Sequence, residues 1–262
     1  MIRAATLDDV RRFYAEFYGG SHGEIAVVGD FDPDSVRAML TEGLVGWESG
    51  QPYRRIGTPP GQSTPLNITL ETPDKANAML IAIRSLPIRD DHPEYPALVL
   101  ADYMLGGGFL NSRLATRIRQ QEGLSYGVGS FFGASAIDST GTWTSFAIYA
   151  PENRDKVEAA LREELVRAGR DGFTGDEIAK AKEGWIESRK LGRSNDAGVA
   201  GRLTQNLFLD RTFAQESELE AAVMALSPEQ LRSVVERYLD PEALAYVKAG
   251  DFRPKTPEAV IP

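Results

Sequence analysis

The amino-acid sequence predicts an α+β fold, a mainly antiparallel sheet with helices packed on one face. Three observations lead there. Two pairs of short strand-like runs, at 66–71 with 78–83 and at 124–132 with 142–150, are joined by links short enough for antiparallel neighbours. A block from Pro151 to Tyr238 is patterned almost throughout for helices. A closing strand-like run then fills 244–249, so strands and helices are segregated along the chain rather than alternating.

Each element has its own signal. Leu66, Ile68 and Leu70 alternate with Asn67, Thr69 and Glu71, the period of a half-buried strand. Leu98, Val99, Leu100, Ala101, Met104 and Leu105 form a nearly all-apolar helix that ends in Gly106-Gly107-Gly108. A short helix over 112–122 stops at Gly123. Val157, Leu161, Leu165 and Ala168 make one helical stripe, and Thr174-Gly175-Asp176-Glu177 caps the helix after it.

The two ends of the chain repeat each other. Thr6-Leu7-Asp8-Asp9 opens an amphipathic helix with Val10, Phe13, Tyr14 and Phe17 on one face, and Ser227-Pro228-Glu229-Gln230 opens another with Leu231, Val234, Val235 and Tyr238. The first is followed by the strand-like run Ile25-Ala26-Val27-Val28 and the turn Gly29-Asp30-Phe31. The second is followed by Ala245-Tyr246-Val247-Lys248-Ala249 and Gly250-Asp251-Phe252. Ser227 lies 221 residues after Thr6, and Gly250 lies 221 after Gly29. A common offset over helix, strand and turn marks two tandem copies. Residues 1–47 are then expected to be the tail of a preceding domain whose front is missing, with 48–65 a Pro/Gly/Ser-rich linker, 66–253 a complete domain and 254–262 a tail. On this view the chain is an excised fragment, and its first 47 residues should pack on something.

With 38 acidic and 29 basic residues the formal charge is −9, which disfavours nucleic acid and anionic membranes as partners. No run approaches the ~20 apolar residues of a bilayer span. The absence of cysteine excludes disulfides and thiolate chemistry and leaves the compartment open. His22 and His92 are the only histidines, neither stands in a ligand-like cluster, and HxxEH, HExxH and HxH are absent, so an ordinary catalytic zinc site is not expected within this chain. The run Gly106–Ser112 lacks the lysine and spacing of a phosphate-binding loop. Arg119, in the last turn before Gly123, and Tyr126, early on the next strand, can offer fixed donors to a peptide carbonyl or a developing oxyanion. On the residues alone, a cation favoured by a helix C-terminus and an ordinary strand tyrosine are the readier account of them.

The run Leu105-Gly106-Gly107-Gly108, Ser112-Arg113-Leu114 and Arg119-x-x-Glu122-Gly123-Leu124-x-Tyr126 resembles the signature of the second domain in each half of pitrilysin-type zinc peptidases. The segment from Thr6 to Phe31 is similar to the one that closes the preceding domain there, and Phe173-Thr174-Gly175-Asp176-Glu177-Ile178 to a later segment. The resemblance implies the same α+β domain and a place in the C-terminal, non-zinc half of a metalloendopeptidase. It implies that Arg119 and Tyr126, seven apart, grip substrate backbone and stabilise the transition state. By similarity to mitochondrial processing peptidases, Gly106, Gly107 and Gly108 handle substrate. No cofactor is expected in this chain. Zinc is expected in the parent enzyme or in a partner half, on the same polypeptide or another subunit, with peptides or unfolded segments as substrate. The alternatives are a non-catalytic scaffold and a peptide-binding subunit of the same fold.

Overall fold

A computed structural model describes residues 4–61 and 64–253. In chain order the elements are α1 (Leu7–Phe17), α2 (Pro33–Leu44), β1 (Leu66–Glu71), β2 (Ala78–Leu86), α3 (Tyr95–Asp102), β3 (Ser125–Ala134), β4 (Gly141–Tyr149), α4 (Arg154–Asp171), α5 (Gly175–Gly192), α6 (Asp196–Phe208), α7 (Ala214–Ala225), α8 (Pro228–Tyr238) and β5 (Ala245–Gly250). Contacts divide them into two compact units, 1–57 with 189–216, and 58–188 with 217–262. The expected tail at 254–262 and residues 62–63 of the expected linker lie outside the described residues.

The second unit contains the sheet, in the order β1-β5-β2-β4-β3. β1 runs parallel to β5, and the other neighbours are antiparallel. The predicted mainly antiparallel sheet is therefore present, with one parallel pair at its edge. Its inner face carries Leu80, Ala82, Trp143, Ala147, Tyr149 and Tyr246, all buried with Leu98 and Leu100 of α3, Val157, Leu161 and Leu165 of α4, and Val234 and Val235 of α8. Strand alternation sends the intervening residues to the opposite face. There Leu66, Ile68, Leu70, Met79, Phe131 and Ile148 stay exposed. β1 is thus a strand as expected but not half-buried: it is the sheet edge, and both its faces are open.

The described residues of the first unit are helical or irregular. Thr6 caps α1 as its sequence predicts, its Oγ1 accepting from the Asp9 N–H at 3.2 Å while its own N–H donates to the Asp9 carboxylate at 2.9 Å. Ser227 and Gln230 repeat the arrangement on α8. Residues 25–28 form no strand, a correction with a simple cause: a ladder needs a partner, and no strand is present among the described residues of this unit. None of the residues of α1 is buried. Val10, Phe13 and Tyr14 are 57%, 55% and 51% exposed, whereas Leu231, Val234 and Val235, 221 residues later, are 0%, 2% and 1% exposed. Identical local patterns therefore have opposite energetics. Val234→Ala should cost about 2 kcal/mol through lost burial and a cavity, and Val10→Ala should stay within about 0.5 kcal/mol. Urea titrations of the two variants measure the contrast.

Candidate functional site

Around the glycine-rich stretch, α3 does not stop at Asp102. Tyr103–Gly107 continues it as a wider, π-type turn, and Phe109–Asn111 adds a single 3-10 turn. Close packing explains the glycines here. A Cβ on Gly106 would stand 2.3 Å from the Ser130 nitrogen of β3, and one on Gly107 would stand 2.9 Å from Asp102 Oδ2. Phe109 follows with φ of +55°, a strained value for an aromatic residue, and its ring is exposed.

Beneath this loop lies a carboxylate that the sequence reading passed over. Asp102 is buried, and its Oδ1 accepts from Ser130 Oγ at 2.6 Å and from the Trp143 indole N–H at 2.9 Å. Burial pushes its pKa up to about 6, against the lowering effect of these donors. An aspartate at the end of an otherwise apolar helical run was the available signal.

The helix predicted over 112–122 is also π-type in its main part, Ala115–Gln121. Two of its arginines turn inward. Arg113 donates to both Glu177 carboxylate oxygens, at 2.8 and 2.9 Å, and to the Gly172 carbonyl. Its ring neighbour is Phe173, 4.4 Å from the guanidinium carbon. Arg117 donates to Glu122 and Glu163. Between them sits Glu164, wholly buried, 3.7 Å from Arg113 Nη1 and 4.0 Å from Arg117 Nη1, accepting from Arg167 at 2.8 Å. The Arg113 guanidinium holds the Glu177 carboxyl down at about 2. This network fixes the segment to α4 and α5.

Gly123, at φ +62°, ends the segment, and the Leu124 N–H caps it on the Ile118 carbonyl at 2.8 Å. β3 then begins irregularly. Ser125 pairs with Tyr149 and Gly127 with Ile148, so Tyr126 is the extra residue of a bulge. Bulges re-aim side chains, and Tyr126 is 64% exposed. Arg119 is exposed as well, and neither its side chain nor that of Tyr126 makes a hydrogen bond or ion pair to another described residue. The two predicted donors thus flank one helix-to-strand reversal, free at their ends.

A cleft of about 520 Å³ opens beside the loop, lined by Tyr103, Met104, Gly108, Leu110, Gln120 and Lys180 among others. Gly108 reaches it; Gly106, Gly107, Arg119 and Tyr126 do not line it. Among the described residues no three His, Cys, Asp or Glu side chains converge as a metal site. His92 Nδ1 accepts the Glu94 N–H, and His22 lies against the Tyr53 ring. These residues do not fit a zinc ion. No helix is long and apolar enough to cross a membrane among the described residues.

The model of the peptidase M16 inactive domain matches residues 4–184, and the chain belongs to that family. It is 25% identical over 245 residues to an uncharacterized zinc protease of Streptomyces coelicolor, and 23% identical over 176 residues to one of Bacillus subtilis. These alignments cover 89% and 67% of the chain, which spans 51% and 41% of the two relatives' lengths. Among solved structures, a peptidase M16 inactive domain from Pseudomonas fluorescens superposes with a TM-score of 0.76 at 22% identity, over 98% of this chain and 60% of that one. A Helicobacter pylori protease gives 0.76 at 16% identity, over 95% and 60%. Both likenesses concern the fold.

Proposed function

We propose that this chain is the substrate-gripping, non-zinc half of a zinc metalloendopeptidase acting on peptides or unfolded segments. Arg119 and Tyr126 donate hydrogen bonds to the substrate backbone and to the oxyanion that develops on the scissile carbonyl. The metal belongs to another half, on the same polypeptide or a partner subunit. One observation carries this assignment. In a segment whose Arg113 and Arg117 are locked in ion pairs, the side chains of Arg119 and Tyr126 are presented to solvent without partners among the described residues. Gly106, Gly107 and Gly108 would let a substrate strand approach the loop closely. In the same proposal residues 66–253 are a complete domain, 48–65 a linker and 1–47 the tail of a preceding domain, which the exposed stripe of α1 supports.

A scaffold or peptide-binding subunit is the second reading, favoured by the tight packing of Gly106 on the β3 backbone and of Gly107 on the Asp102 carboxylate, which needs no ligand. Tyr126→Phe in the assembled enzyme separates the two. Because the hydroxyl has no partner among the described residues, the variant should fold normally, while kcat falls on the order of 10²–10³-fold with KM little changed. An unchanged kcat would favour the scaffold. Peptide hydrolysis by the chain alone, with stoichiometric zinc, would contradict the division of roles.

A further inference from the structure

The cleft beside the glycine-rich stretch takes no part in the grip assigned to Arg119 and Tyr126, and its walls come from the irregular helical segments. Both π-type segments border it, Tyr103–Gly107 through Tyr103 and Met104, and Ala115–Gln121 through Thr116 and Gln120. π-type turns are rare within helices and recur at functional sites. The facing wall is α5, which presents Glu177, Lys180, Ala181 and Gly184 at the i, i+3, i+4 and i+7 spacing of one helix face. Gly184 lets the Tyr103 hydroxyl come against α5, since a Cβ there would stand 2.7 Å from it.

The lining has a definite chemistry. Arg113 and Glu177 neutralise each other in their bidentate pair, so Lys180 supplies the charge left over in the cleft. Lys180 is exposed, and its ammonium has no hydrogen bond or ion pair among the described residues, in a chain whose formal charge is −9. The Tyr103 and Thr116 hydroxyls and the Asn111 side-chain amide are uncommitted in the same sense. Met104 and Leu110 add an apolar wall. One ammonium balances one carboxylate, and hydroxyl and amide side chains can both donate to and accept from a peptide unit.

We propose that this cleft binds the C-terminal residue of a peptide. The α-carboxylate pairs with Lys180, the apolar side chain lies against Met104 and Leu110, and the last peptide unit bonds to Asn111 and Thr116. A volume of about 520 Å³ holds an apolar residue and the peptide unit before it. A fatty acid would match the cation and the apolar wall but leave the Asn111 and Thr116 groups without partners, which favours the peptide. The site goes beyond the Arg119–Tyr126 assignment and does not depend on it, because neither residue lines the cleft.

The test is an NMR titration of the isotope-labelled chain with the peptide acetyl-dialanyl-leucine, with its C-terminal amide, and with hexanoate. The free acid should give saturable backbone shifts within residues 103–120 and 177–184, and amidation should weaken binding by about tenfold or more, the scale of a lost charge-assisted hydrogen bond. Lys180→Gln, at an exposed position, should keep the fold, weaken the acid by a similar factor and leave the amide unaffected. Lys156→Gln, exposed on α4 and outside the cleft, should change neither. Equal binding of acid and amide, shifts confined to other segments, or no saturation at all overturns the proposal. So does an equal loss in Lys156→Gln, which would reduce the effect to general charge. Hexanoate binding as tightly as the acid overturns the peptide as the ligand.

Discussion

Arg113→Ala is expected to destabilise the chain by about 3–5 kcal/mol, the range for breaking a buried ion pair from one side. The guanidinium has three anchors: the bidentate Glu177 pair, the Gly172 carbonyl and the Phe173 ring. It also supplies positive charge 3.7 Å from Glu164, whose side chain has no exposure at all. Alanine leaves that buried carboxylate with Arg167, which is half-exposed, and a more distant Arg117. Lysine should not restore the loss, because an ammonium cannot match a carboxylate with two parallel bonds. Urea unfolding followed through Trp143 and Trp185, both buried, reads the effect as a fall in midpoint at unchanged slope. A loss below about 1 kcal/mol would show that Glu164 does not depend on Arg113 for its compensation. Since Arg113 and Arg117 hold the segment that carries Arg119, the same variant should impair the proposed grip on substrate.

The second large effect is a pH dependence from Asp102. Its folded pKa, about 6, lies above the ordinary 3.8, so the protonated form is the one the fold prefers. The stability it contributes is full below about pH 4 and is lost as pH rises through 6. The shift corresponds to roughly 3 kcal/mol, or on the order of 6–12 °C in Tm for a domain of this size. Asp102→Asn should remove this slope, since the amide oxygen still accepts from Ser130 and Trp143. Glu177 acts in the opposite direction. Its pKa is held near 2 by Arg113, so its contribution is present above the ordinary 4.5 and lost as pH falls. The measurement is therefore the difference in Tm between parent and Asp102→Asn from pH 4 to 7.5, where parallel curves would rule out a raised pKa.

Much of this site was legible in the residues. The order Leu105-Gly106-Gly107-Gly108, Arg119, Gly123, Tyr126 marks a helix end, a second helix and a reversal, and the structure has each of them. Local chemistry suffices there, because a glycine at φ +62° and a hydroxyl cap act within a few residues. The π-type widening of both helical segments was not legible, nor was the bulge at Tyr126. Both depend on where β4 and β3 meet the loop, which no short window encodes. Asp102 was missed because its environment comes from Ser130 and Trp143, 28 and 41 residues away.

The sequence by itself determined the α+β class, the two capping boxes, the 221-residue repeat and the poverty of metal ligands. Each depends on residue type, spacing or count, quantities that survive without coordinates. Only the tertiary structure decided which copy of the repeat is buried. α8 finds α3, α4 and the sheet, while α1, with the same periodicity, finds no such partner among the described residues. Periodicity says which face of a helix wants burial; the free energy is gained only when another surface arrives to cover it.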